Sequence, residues 1–303
     1  MPITSVRNRM SRALLGMVAG PDGAQARYRI HGTAGPRWYS AGSPIQIVHG
    51  DASMYIGGVR ALLLQSLHPL AMAAVDDFSD YRTNVWGRLA RTATFIATTT
   101  FGTAEHAKEA VDIVRAVHRR VNGTAPDGRP YQADDPHLLA WVHIAEIDSF
   151  LTAHERFGRR SLDESDYDTY VSQSARVALA LGSSEVPTTR AELQHGLREF
   201  RPELQSTPAA RDVATFIRTV PVPVAVRPGY RALVRAAVAT LPRWAREPLG
   251  LPDRPLLDRT LHRLNGTAMT SAIRWLTTAE PMQRPERLPP GPAAGSRSRA
   301  HQA

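Results

Sequence analysis

From about Asp51 to Trp275 the apolar residues recur at helical spacing, and helix-boundary signals fall between the repeats. Asp51 can cap a helix running through Tyr55, Val59, Leu62 and Leu63, and Gly102–Thr103 can end one helix and cap the next. Asp135 followed by Pro136 reads as an N-cap with proline at the first helical position. Ser161 with Glu164, and Thr189 with Glu192, have the spacing of capping boxes. The best alternating stretch, Val220 to Val226, is interrupted by Pro221 and Pro223 and so fails as a strand. A chain patterned this way is expected to be all-α, a single globular multi-helix domain of about nine or ten helices. The pair Gly57–Gly58, inside a helical pattern and far from any phosphate-loop signature, is expected to serve close helix packing.

Composition supports a packed core, with 43% hydrophobic and 21% charged residues. The chain has no cysteine, which excludes disulfide frameworks, cysteine zinc sites, iron–sulfur clusters and thiolate-ligated haem. The net charge of +9 raises a nucleic-acid partner for consideration. Almost all of that charge is arginine, Lys108 being the only lysine, and it is scattered or gathered near the ends, as at Arg7, Arg9, Arg12, Arg297 and Arg299. A binding stripe is therefore not expected, nor nucleic acid as a partner. The longest uncharged apolar run, Ala61 to Val75, contains Gln65, Ser66, His68 and Pro69 and reads as buried core rather than a membrane span. The apolar stretch Ala13 to Ala19 is short for a signal peptide, and a cytoplasmic location is the default. Residues 1–35 read as a flexible basic leader, 36–280 as the helical domain, and 281–303, rich in Pro, Gly, Arg and Ser, as a disordered tail.

Two helical segments carry residues suited to chemistry. In the segment from Ala104 to about Val121, Ala107, Val111, Val114, Val117 and Val121 form one stripe, and His118 lies within it. Such a histidine is either a neutral core residue satisfied by a carbonyl or water, or an axial ligand, since neutral imidazole is a common haem iron ligand. In the preceding segment, about Val85 to Phe101, Arg88, Arg91, Thr92 and Phe95 fall at i, i+3, i+4 and i+7 on one face, with Leu89, Ala93 and Ile96 on an adjacent face expected to pack in the core. That polar face is either solvated, or it is a pocket wall whose guanidinium groups bind propionates or growing negative charge. His143, on a segment with Leu139, Val142, Glu146 and Phe150 as its stripe, is a second candidate iron ligand, and His68 beside Pro69 a third. Both are expected to be structural, His143 as a hydrogen-bonded core residue and His68 as a helix-end group.

The ordered series HGDASMYIGGVRALLLQSLHPL, DFSDYRTNVWGRLARTATF, VRAVHRRVNGTAPDGRPYQADDPHLLAWVH and LPRWAREPLGLP, spanning roughly His49 to Trp275, resembles the MpaB-type oxygenases. These share their catalytic domain with the latex-clearing proteins (rubber oxygenases). The resemblance implies an all-helical fold holding haem b. It implies that His118 in VRAVH is the axial iron ligand, that Arg88 and Thr92 belong to the pocket, and that Arg91 stands where latex-clearing proteins have a distal lysine. Phe95 is placed beside the cofactor by the same face. Latex-clearing proteins use a glutamate upstream of the arginine as a base. No glutamate lies between His49 and Arg88 here, and Asp76 and Asp77 are the nearest acids. The expected function is a haem b-dependent oxidoreductase, an oxygenase or peroxygenase, acting with dioxygen or peroxide on a small apolar, unsaturated or ring-containing substrate. The alternative is a haem carrier or sensor without turnover.

Overall fold

The computed structural model describes residues 23–277, whose regular secondary structure is helical apart from one short hairpin. Helical structure begins inside the stretch expected as leader: α1 (Gly23–Arg27) runs into a π-helical turn, Tyr28–Gly32, in which Ile30 is buried. Residues 1–22 and the expected tail, 281–303, lie outside the described residues. There follow α2 (Pro44–His49), α3 (Met54–Gln65), α4 (Pro69–Phe78), α5 (Val85–Phe101) and α6 (Ala104–His118). After the hairpin of β1 (Asn122–Thr124) and β2 (Pro130–Gln132) come α7 (Pro136–Phe157), α8 (Glu164–Leu181), α9 (Arg190–Glu199) and α10 (Pro208–Thr219). The chain closes with α11 (Arg227–Thr240), α12 (Arg243–Arg246), α13 (Pro255–Arg259) and α14 (Leu261–Thr277). This is the all-α domain the periodicity predicts.

The molecule is organised around α7, which packs against α2, α3, α4, α8, α9, α11 and α14. Enclosure on so many sides removes the single stripe expected for this helix: Trp141, Ile144, Ala145, Ile147 and Leu151 are buried, whereas Val142 faces outward. The α3–α7 crossing is close because Gly57 lies against Phe150; a Cβ there would sit 2.9 Å from the Phe150 ring and 3.2 Å from its Cα. Gly58 has open space beside it, so the packing role falls to Gly57 alone. The same crossing encloses an ion pair, Arg60 to Asp148 at 2.7 Å with both side chains buried. Ser149 Oγ accepts from Arg60, Arg60 Nε donates to the Thr240 carbonyl of α11 at 3.3 Å, and Gln194 of α9 donates to Asp148 at 3.0 Å, so four elements share one polar network centred on the buried pair.

Local signals hold where the cap is purely local. Asp135 accepts from the amides of His137 and Leu138, Thr189 from Glu192, and Thr103 from His106. Two capping expectations are corrected. Ser53, not Asp51, sits at the α3 N-cap, because Asp51 is drawn to the Arg274 guanidinium at 2.8 Å and to the Ser53 amide. Asp163 rather than Ser161 caps α8, accepting from Asp166. The β-hairpin was not expected. Its turn contains Asp127–Gly128, with Gly128 at φ +87°, and pairs Gly123 with Tyr131. Among the described residues no single helix is long and apolar enough to cross a membrane. Helices α3 and α4 taken together are long and apolar enough by length and composition, but they are bent by 107° at the break between them, and Leu63, Leu64, Leu67 and Met72 within the run are buried core.

Candidate functional site

Helices α5 and α6 pack against each other across the Gly102–Thr103 turn. The turn is held by Arg37, whose guanidinium donates to the carbonyls of Phe101, Ile30 and Thr33. The chain order puts the N-terminal half of α5 and the C-terminal end of α6 at the end of the pair remote from that turn. His118 is the last residue of α6, and the Val121 amide donates to its carbonyl at 3.0 Å, so the hairpin that follows starts from a fixed point. Ala107 and Val111 are buried as expected, but Val117 is 54% exposed, and Val114 and His118 are half-buried. The buried stripe is thus shorter than the sequence suggests, because the last turns of α6 lie at the surface.

His118 nevertheless has the character of a donor awaiting a partner. Its Nδ1 is buried and makes no hydrogen bond. Burial lowers its pKa, with the Asp134 charge pulling the other way, so the imidazole is neutral with a free lone pair. On α5, Arg88 is half-buried, and burial lowers its pKa too; its guanidinium carbon lies 5.9 Å from the Tyr81 ring centre. No carboxylate pairs with Arg88 among the described residues, which leaves a partly desolvated cation able to take an anionic group. Arg91, on the same face, is exposed and paired with Asp80 at 2.9 Å. Thr92 is exposed, and Phe95, Leu89, Ala93 and Ile96 are half-buried, Ile96 against the main core.

The acidic residues nearest upstream are engaged elsewhere. Asp76 accepts from Arg82 at 2.6 Å and from the Tyr81 hydroxyl, and Asp77 from the Tyr131 hydroxyl of β2. A different acid emerges from the fold. Glu146 of α7 is half-buried, has no hydrogen-bond partner among the described residues, and is pushed up to about 7 by desolvation. One turn on, Phe150 touches His49, whose Nδ1 lies 2.8 Å from Thr100 Oγ1 and whose Nε2 lies 3.3 Å from the Tyr170 hydroxyl. Burial depresses His49 to about 3 and, joined by the Glu146 charge, raises Tyr170 well above the usual phenol range. Glu146, His49 and Tyr170 therefore form an interior polar group where α2, α5, α7 and α8 meet. Periodicity could not reveal it, since a glutamate within an apolar stripe reads as a lapse in the pattern.

His143 is buried as expected, and burial lowers it to about 4, but its Nε2 has no partner; the expected hydrogen bond is not found at that nitrogen. His68 is the helix-end residue anticipated: its Nδ1 accepts from the Ala71 amide at the start of α4. Among the described residues, no three His, Cys, Asp or Glu side chains are grouped to hold a metal ion by themselves. A shallow concavity of about 460 Å³ on the outer face of α6, lined by Lys108, Glu109, Asp112 and Ile113 among others, contains none of the candidate residues. Among the candidate residues and the interior acid, those with unmet chemistry are the His118 imidazole, the Arg88 guanidinium, the Glu146 carboxyl and the His143 imidazole; His106, His154 and His262 also each have a buried ring nitrogen without a hydrogen-bond partner.

Comparison with curated proteins and with solved structures yields no match. A sequence family does match, over residues 47–275, and it is described as the catalytic domain of the ER-bound oxygenase mpaB/B' and rubber oxygenase. That span runs from α2 to α14 and takes in every candidate residue, so the chain belongs to the mpaB/rubber oxygenase catalytic-domain family.

Proposed function

We propose that this oxygenase-family domain is a haem b-dependent oxidoreductase, with His118 as the residue that would hold the haem iron, acting on a small apolar substrate with dioxygen or peroxide. The observation that carries the reading is His118: a neutral imidazole with a buried nitrogen lacking any partner, at the end of a helix pair whose other member presents Arg88. A histidine-ligated haem iron takes a neutral imidazole, and haem propionates pair with cations in a partly desolvated setting; His118 and Arg88 offer both. When bound, the haem would supply the iron chemistry that activates the oxidant.

The remaining roles belong to this chain's side chains. The Arg91 guanidinium, steadied by Asp80, places fixed charge at the exposed end of the α5 face. Thr92 offers a hydroxyl one residue on, able to orient an oxidant by hydrogen bonding, and Phe95 provides an apolar wall. Asp76 and Asp77 are committed to their tyrosine and arginine partners, so Glu146 is the acid proposed to take or release a proton near neutral pH.

The test is reconstitution with haemin followed by oxidant consumption with alkenes and phenols. Wild type should bind one haemin and consume oxygen or peroxide with at least one substrate class, while Thr92→Ala retains haem and reacts more slowly. Haem binding without turnover on any substrate would convert the reading to a carrier or sensor. Unchanged kinetics in Thr92→Ala would remove that residue from the mechanism.

A further inference from the structure

Helices α11, α13 and α14 form an outer layer. Gly229 of α11 faces Met269 of α14, α13 contacts both, and α11 and α14 rest on α7. Their outward side carries a cluster of exposed leucines. Leu256 is 81% exposed, Leu264 68% and Leu261 49%, with Leu257 also exposed. Isolated exposed leucines are ordinary, but four within nine residues of chain, on two adjoining helices, make an apolar projection.

The charges around it are mostly positive; the nearest exposed acid along the chain, Asp253, is paired with Arg243 and Arg246. Helices α11 and α14 contain no Asp or Glu, and the one acid of α13, Asp258, is buried against Arg246 at 2.5 Å. Arg231 and Arg235 lie one turn apart on the exposed side of α11, and Arg254 and Arg263 flank the leucines. None of these four arginines has an acidic partner within salt-bridge distance among the described residues.

We propose that the outer face of α11, α13 and α14 is a docking surface for an anionic lipid bilayer, the leucines entering the interface and the arginines meeting lipid phosphates. Apolar side chains interleaved with unpaired cations suit a headgroup region, where leucine leaves water and arginine stays among anions. A nucleic-acid backbone would use the arginines but would give exposed leucines no apolar environment. A second copy related by a twofold axis would set unpaired arginines against each other. The inference is independent of haem, and its test is read without haem or turnover.

The experiment is co-sedimentation of the full chain with phosphatidylcholine vesicles with and without phosphatidylglycerol, at low and high salt. Wild type should bind the anionic vesicles, lose most binding at high salt, and bind neutral vesicles at least about tenfold more weakly. Leu256→Ser with Leu264→Ser should weaken binding by about tenfold or more. Arg231→Gln with Arg235→Gln should weaken it by about 25-fold at low salt. All four positions are exposed, so folding should survive, and helical circular dichroism checks this. Absence of binding by folded wild type, or binding by both variants as strong as wild type, overturns the proposal. So does a wild-type dimer that the leucine variant dissociates, or binding to a DNA duplex that outcompetes vesicles and is indifferent to the leucine changes.

Discussion

The buried Arg60–Asp148 pair shows how a single side chain can hold several elements. Arg60 also reaches Ser149 and the Thr240 carbonyl, while Asp148 takes a bond from Gln194. Arg60→Ala would leave a carboxylate in the core without its cation, and we expect a loss of about 3–5 kcal/mol in urea denaturation. A loss below about 1 kcal/mol would mean that the pair contributes no net stabilisation. Arg88 stands in the opposite situation, since its guanidinium is half-buried without a carboxylate. Removing a charge-assisted hydrogen bond to a propionate in Arg88→Ala should raise the haemin Kd by about 10- to 100-fold. An unchanged Kd, measured by Soret titration, would take Arg88 out of the pocket.

At the scale of elements, the α3–α7 crossing makes a paired prediction. Gly57→Ala must displace Phe150 and should cost about 1–3 kcal/mol, whereas Gly58→Ala meets open space and should be neutral or stabilise by up to about 1 kcal/mol. Equal effects in thermal melts would show that the close approach is not what fixes this contact. The sequence announced a glycine-mediated crossing but could not say which glycine made it, because that depends on where Phe150 lies. Other local signals translated directly: Asp135, Thr189 and Thr103 cap their helices because the partner amides lie two or three residues away. Asp51 did not, because its partner Arg274 comes from the far end of the chain. The β1–β2 hairpin was missed although Asp127–Gly128 advertised its turn, since three-residue strands are too short to display alternation. Val117 was misplaced because amphipathic spacing gives a direction, while the length of the buried stripe depends on how far neighbouring helices extend.

For the whole molecule, interior titratable groups set how stability responds to pH. His49 and His143 are held to about 3 and about 4, so each resists a proton that the unfolded chain accepts below its ordinary value of 6.5. Their stabilisation is complete above that value and is lost as pH falls from there toward about 4 for His143 and about 3 for His49. Glu146, raised to about 7, acts in reverse: the folded state keeps a proton that the unfolded chain releases above 4.5, so its contribution falls as pH rises. Of these three groups, two oppose one between about pH 4.5 and 6.5, giving net uptake of about one proton on unfolding and a slope of about 1.4 kcal/mol per pH unit. His31, His68, His118 and His154, also lowered by burial, add in the same direction. Stability should therefore rise with pH across this window, and Glu146→Gln should make the rise steeper. An unchanged profile in that variant would place Glu146 in water rather than in the interior. The fold and the position of His118 on α6 were legible from periodicity, but Glu146 and the unmet valences of Arg88 and His143 became visible only in three dimensions. The most direct test of the haem assignment is the absorption spectrum of the purified protein reconstituted with haemin, before and after dithionite, with a pyridine haemochrome assay, for wild type and His118→Ala. The account predicts a Soret band with about one haem b per chain in wild type, and its loss or a changed spectrum in the variant. A wild-type chain that takes up no haemin, or a variant with full haem content and an identical spectrum, would contradict it.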